Sequence, residues 1–156
     1  MNIKTIVTVM LILFVVVSVG YMLVTGGSSG DSSSQTAGMD GRTPPHQVIA
    51  YYFHGTMRCK TCLQIEASAK ETIELSFPEE LKDGRLVWKS VDFDEPANEH
   101  FATDYQLSAS SLVLVEFKDG KQTRWRNMEQ IWDLVWEKEL YANYVRDGVS
   151  QYLGKL

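Results

Sequence analysis

The chain has 156 residues, room for one ordinary domain and an appendage. Lys and Arg number 15 against 20 Asp and Glu, and the resulting net charge of −5 argues against a nucleic-acid-binding protein. There are 2 cysteines, Cys59 and Cys62, so all thiol chemistry is confined to one Cys-x-x-Cys.

The N-terminal segment sets the compartment. Ile6 to Val24 carries no charge over 19 residues, long enough to cross a bilayer as a helix. Lys4 and the amino terminus are the only positive charges before it, which predicts a cytoplasmic N-terminus and an exported remainder. A cleaved signal peptide would have a shorter apolar core and end at an A-x-A-like site; Gly20 to Gly27 offers none, so an uncleaved anchor is preferred. No cysteine follows the segment closely enough for lipid attachment. Residues 25–45, Gly/Ser-rich and closed by Pro44-Pro45, read as a flexible tether. The expected organisation is an anchor at 1–24, a linker at 25–45 and a folded domain at 46–156. That domain would be held by a single-pass helix on the outer face of the cytoplasmic membrane, where a disulfide can persist.

Within the domain the elements alternate. His46 to Phe53 is an apolar strand, and Cys59 to about Leu75 a helix with Cys59, Cys62, Ile65, Ala69 and Ile73 at helical spacing, ended by Phe77-Pro78. Arg85 to Phe93 is a strand. Asp94 as N-cap and Pro96 in the first turn predict a second helix to about Tyr105. Leu112 to Lys118 is an apolar strand, Asp119-Gly120 a hairpin turn and Lys121 to Arg126 its return. Asn127 is expected to cap one long last helix reaching Tyr152, with a bend near Glu137-Lys138-Glu139 as an option. The order βαβαββα predicts an α/β fold: a central four-stranded mixed sheet, its first two strands parallel, with helices on both faces.

The Cys-x-x-Cys falls where this order turns from strand to helix, a context specific for thiol–disulfide exchange. Free N–H groups and the helix dipole at Cys59 favour a thiolate, and Arg58 and Lys60 add positive charge. Cys59 is therefore the expected nucleophile, and Cys62, one turn in on the apolar face, the resolving thiol. Other readings compete. Half of a zinc site would need further ligands, and only His46, His54 and His100 could add nitrogens. A purely structural disulfide closing so short a loop removes little unfolded-chain entropy. Two inert core cysteines are at odds with the adjoining cations.

The domain resembles the thioredoxin superfamily over about residues 46–154. The motifs are the strand ending in Phe53, Cys59-Lys60-Thr61-Cys62, Ser90-Val91-Asp92-Phe93-Asp94-Glu95-Pro96 and Phe117-Lys118-Asp119-Gly120-Lys121. More narrowly, Tyr52-Phe53-His54-Gly55-Thr56, Arg58-Cys59, Thr61-Cys62 and Ile65-Glu66 are similar to the ArsF-type nitrophenyl compound nitroreductase subunit family. That resemblance implies catalytic Cys59 and Cys62, a membrane thiol conduit as electron donor, and an exported protein disulfide or oxidised substrate as acceptor. It also implies service as the electron-supplying subunit of a nitroaromatic or arsenical reductase system. Departures are present: Arg58 replaces the tryptophan before the first cysteine, Tyr52 the buried aspartate, and Ser110-Ser111 the cis-proline that faces the disulfide.

Among the remaining residues, Glu66 has two readings, proton acceptor for Cys62 or i+4 partner of Lys70, and the second is preferred. His54 is either a thiolate partner or a loop residue without a role, and His100 a solvated position. Trp132, Trp136, Tyr141 and Tyr144 are expected mostly in the core. No phosphate loop, Ser/His/Asp pattern, flavin or nicotinamide fingerprint is found, so neither a cofactor nor a metal site is expected. The rival function is a metal or arsenical binding module using the same two thiolates. A non-catalytic scaffold with a relic disulfide is the third reading.

Overall fold

The computed structural model describes residues 44–155. The anticipated anchor and nearly all of the linker lie outside them, and no helix among the described residues is long and apolar enough to cross a membrane. Four strands, β1 (His46–His54), β2 (Leu86–Asp92), β3 (Ser111–Lys118) and β4 (Lys121–Asn127), form one sheet in the order β2-β1-β3-β4. β1 pairs parallel with β2 and antiparallel with β3, and β3 pairs antiparallel with β4. Five helices accompany them: α1 (Lys60–Ser76), α2 (Pro78–Lys82), α3 (His100–Asp104), α4 (Ile131–Leu134) and α5 (Lys138–Leu153). This is the mixed α/β arrangement that the resemblance to thioredoxins implies, with the Cys-x-x-Cys at the carboxyl end of β1.

β1 is apolar and buried from Val48 to Phe53 because it is central and covered on both faces. Its alternate side chains separate into two cores. Val48, Ala50 and Tyr52 pack with Ile65, Ala69 and Ile73 of α1 and Tyr141, Val145 and Val149 of α5. Ile49, Tyr51 and Phe53 face Tyr105, Val113 and Val115. The second face is held mainly by rings: Phe53 lies 5.1 Å from Phe101 and 5.5 Å from Tyr105, which in turn meets Trp125 edge-on at 5.4 Å. Such pairs add about 0.5–1.5 kcal/mol each beyond area burial.

Two expected helices differ. The one placed from Asp94 to Tyr105 is a single turn, His100–Asp104, because Asp94 does not cap it. Its carboxylate accepts instead from the Thr56 backbone N–H at 2.9 Å, and Asp92 closes a local turn on the Asp94 N–H at 3.0 Å. The long last helix is two, α4 and α5, and Asn127 ends β4 rather than capping. The break at Val135–Glu137 turns the Trp136 ring out, 69% exposed, and Trp132 is partly exposed, while Tyr141 is buried and Tyr144 packs against the core, so of the four rings expected mostly in the core only two are there. The hairpin turn is as expected, with Asp119 and Gly120 both at positive φ, the signature of a two-residue type I′ loop.

At the far end of the sheet from the cysteines, a buried carboxylate interrupts the apolar run of β3. Glu116 is 3% exposed. It accepts from Thr123 Oγ1 at 2.6 Å, from Arg124 Nε and Nη2 at 3.1 and 3.2 Å, and pairs with His46 Nε2 at 3.0 Å. A register shift opposite Glu116 and Phe117 leaves Thr123 unpaired in the ladder, and this bulge lets its hydroxyl reach the carboxylate. Burial pushes the Glu116 carboxyl up, but the bonds from Thr123, Arg124 and His46 outweigh it and bring it down to about 2.

Candidate functional site: a disulfide at a helix start

Cys59 and Cys62 form a disulfide with their Cα atoms 5.1 Å apart. Cys59 is the N-cap of α1, in extended conformation, and its Sγ accepts the Cys62 N–H at 3.0 Å. A sulfur so placed meets a free helix N–H and the positive end of the helix dipole, which favour the thiolate when the bond is reduced. Cys59 is exposed and Cys62 is 8% exposed, so one sulfur faces solvent and the other the core. Met57 and Leu63, both exposed, flank the pair with apolar surface.

Beneath Cys62 lies Tyr52, fully buried, whose hydroxyl donates to the Cys62 carbonyl at 2.6 Å. Burial raises its phenol above the ordinary value; the nearby Ser110 side chain and the Arg58 charge oppose that shift without cancelling it. At neutral pH Tyr52 is therefore a donor that fixes the Cys62 turn, not a proton acceptor. Ser110 also gives its carbonyl to Trp132 Nε1 at 3.0 Å, which sets the Trp132 ring beside the same loop. Sequence reasoning missed this tie, since nothing in the spacing of Ser110 and Trp132 announces it.

The charges differ from expectation. Arg58 does not simply face Cys59: it forms an ion pair with Glu66, whose other oxygen accepts from Ser90 Oγ at 2.6 Å. The expected Glu66–Lys70 pair is absent, Lys70 lying 3.8 Å from Glu74 instead. Lys60 is exposed and has no ion pair among the described residues, so it is the cation left free beside Cys59.

His54 turns Nδ1 to the Gly55 carbonyl at 2.9 Å and has no hydrogen bond to either sulfur. His100 lies against Phe101 with the rings tilted, 4.1 Å between centroids, and His46 serves Glu116 at the other end of β1. Among the described residues no three His, Cys, Asp or Glu side chains converge as a metal site would require.

The loop that presents Cys59 is clamped from β2. Thr56 donates its N–H to Asp94 and its hydroxyl to Asp92, both at 2.9 Å. Gly55 permits the approach: a Cβ there would come within 2.7 Å of Asp94 Oδ2. Gly55→Ala is expected to displace Asp94 and cost about 1 kcal/mol, the worth of one such hydrogen bond, as a lower thermal midpoint. An unchanged midpoint would mean the clamp contributes nothing.

No protein-family model matches the chain, and no curated protein matches it. Among solved structures, it is similar to thioredoxin O2 from Arabidopsis thaliana in the oxidised state, 20% identical over 60% of this chain and 74% of that one, TM-score 0.38. A thioredoxin from Fasciola hepatica is 22% identical over 63% of this chain and 81% of that one, TM-score 0.36. Mitochondrial thioredoxin 3 from Saccharomyces cerevisiae in its oxidised form is 19% identical over 72% and 79%, TM-score 0.37. Likenesses of this depth decide nothing about activity, which has to be read from the chain's own geometry.

Proposed function

We propose that this chain is a thioredoxin-like thiol–disulfide oxidoreductase acting through Cys59 and Cys62. One observation carries the reading: the disulfide joins an exposed sulfur at a helix N-cap to a shielded sulfur one turn later. In the reduced enzyme the Cys59 thiolate attacks a partner disulfide. A Cys59–partner S–S bond forms and the partner's other sulfur leaves as a thiolate. Cys62 then loses its proton and attacks the Cys59 sulfur. The Cys59–Cys62 bond reforms and the partner departs with both sulfurs reduced. Two electrons have passed to the partner, and a dithiol donor restores the enzyme by the reverse exchange.

The uncharged Ile6–Val24 segment supports a location on the outer face of the cytoplasmic membrane, with a membrane thiol conduit as donor and an exported disulfide as acceptor. A donor in the membrane favours the reducing direction. The resemblance of the Arg58–Glu66 stretch supports the narrower role of electron-supplying subunit to a nitroaromatic or arsenical reductase.

Reduction of insulin by dithiothreitol, followed by turbidity, tests the reading. The protein is expected to shorten the lag, with no metal retained after reducing purification. A stoichiometric thiol-bound metal with no acceleration would replace this function by that of a metal or arsenical carrier.

A further inference from the structure

We propose that Glu66 is a positioning residue that, through Arg58, sets the reactivity of the Cys59–Cys62 dithiol. The inference rests on the exchange reading above and adds a determinant of its poise. Arg58 immediately precedes Cys59, and Glu66 follows Cys62 by one helical turn, so their ion pair runs from the loop to the helix alongside the disulfide. Arg58 and Glu66 side chains are 27% and 18% exposed, so water screens the pair less than it screens a surface pair. Ser90 on β2 fixes the second Glu66 oxygen at 2.6 Å. The Arg58 charge is close enough to the Tyr52 phenol to oppose the rise that burial causes, and the Tyr52 hydroxyl holds the Cys62 carbonyl, so the cation lies on the side of the shielded sulfur. Arg58 Nε is buried without a hydrogen-bond partner, which leaves Glu66 as the anion that anchors and offsets this charge.

The consequence lies in the reduced state. When the S–S bond takes up two electrons and two protons, a nearby uncompensated cation would favour thiolate over thiol and so stabilise the dithiol. Glu66 cancels much of that field. It keeps the thiols closer to their ordinary protonation and the couple more reducing.

The experiment equilibrates the full-length protein with reduced and oxidised glutathione and reads its redox state by alkylation, alongside the thiolate absorbance as a function of pH. In each equilibrium two glutathione thiols become glutathione disulfide as the Cys59–Cys62 bond opens to two thiols. Glu66→Gln keeps the shape and the Ser90 bond but removes the charge. It is expected to lower the thiol pKa by about one unit and, in buffer at a pH above the wild-type value, to favour the dithiol up to about tenfold, which corresponds to about 30 mV; the factor shrinks toward one at lower pH, where the thiol is protonated in both proteins. Arg58→Met is expected to move both in the opposite direction, and the double variant to return near wild type. A thermal midpoint recorded on each sample separates loosening of the fold from a change of field. Unchanged constants in Glu66→Gln, or shifts of the same sign in both single variants, would overturn the inference and leave the exchange function standing. A wild-type disulfide that does not exchange with glutathione at all removes both.

Discussion

Cys62→Ser is expected to arrest turnover and leave the redox partner covalently held on Cys59, while Cys59→Ser arrests turnover and traps nothing. The asymmetry follows from burial. Cys59 sits exposed at the helix N-cap, where a partner disulfide has access and the first S–S bond can form. Cys62 is 8% exposed beneath it, its turn fixed by Tyr52, and is placed to attack only the Cys59 sulfur. Without Cys62 the mixed disulfide has no internal nucleophile and persists. Non-reducing gels of both variants, expressed in the native host, give the answer. An adduct on Cys59→Ser would reverse the two roles, and full activity in either variant would end the dithiol mechanism. The trapped partner, identified by mass spectrometry, would name the acceptor or donor directly.

The largest stability effect is expected at Glu116, far from the cysteines. Replacing it with Ala removes the acceptor for Thr123, Arg124 and His46 at once. The cations remain partly exposed and can rehydrate, so the loss should be about 2–4 kcal/mol, at or below the range for breaking a buried pair. In a domain of this size that is roughly 10–20 °C in Tm. The pH dependence has a definite sign. The Glu116 carboxyl is lowered from 4.5 to about 2 in the folded state. A depressed acid contributes stability that is fully present above its unfolded value and is lost as pH falls through the folded one. The gap between wild type and Glu116→Gln should therefore be widest above about pH 5 and shrink as the carboxyl protonates toward pH 2. Urea melts at pH 7, 4 and 2.5 measure it; a gap that stays constant would show that ionisation of Glu116 is not what stabilises the fold.

Local signals carried much of this structure. The apolar run at Val48–Phe53, the helical spacing from Cys59 to Ile73 and the Asp119-Gly120 turn each sufficed to place an element, because backbone preference and burial agree there. What could not be read are contacts in which one residue has two competing partners. Asp94 has the chemistry of an N-cap, yet the Thr56 N–H, brought close by the loop after β1, takes its carboxylate. Glu66 and Lys70 have ideal helical spacing, but Arg58, adjacent only once the loop folds back, is better shielded and wins. The split between α4 and α5 has no glycine or proline to announce it; only the length of the apolar pattern suggested the bend near Glu137-Lys138-Glu139, and the break falls beside it. Glu116 carried a signal that went unused: one carboxylate in an apolar strand needs partners, and Arg124 lies opposite it in the hairpin register.

The position of β1 in the sheet has a mechanical consequence. The chain enters the described domain at Pro44, and within two residues it is fastened, by the Pro45 carbonyl to the Asp119 N–H at 2.8 Å and by His46 to Glu116. The strand that follows is bonded along both edges, to β2 and to β3. A force arriving from the N-terminal side and directed along β1 meets two ladders in shear, whose hydrogen bonds must yield together rather than one after another. The same strand delivers the loop that presents Cys59, so the disulfide follows directly on a strand that is held along both edges.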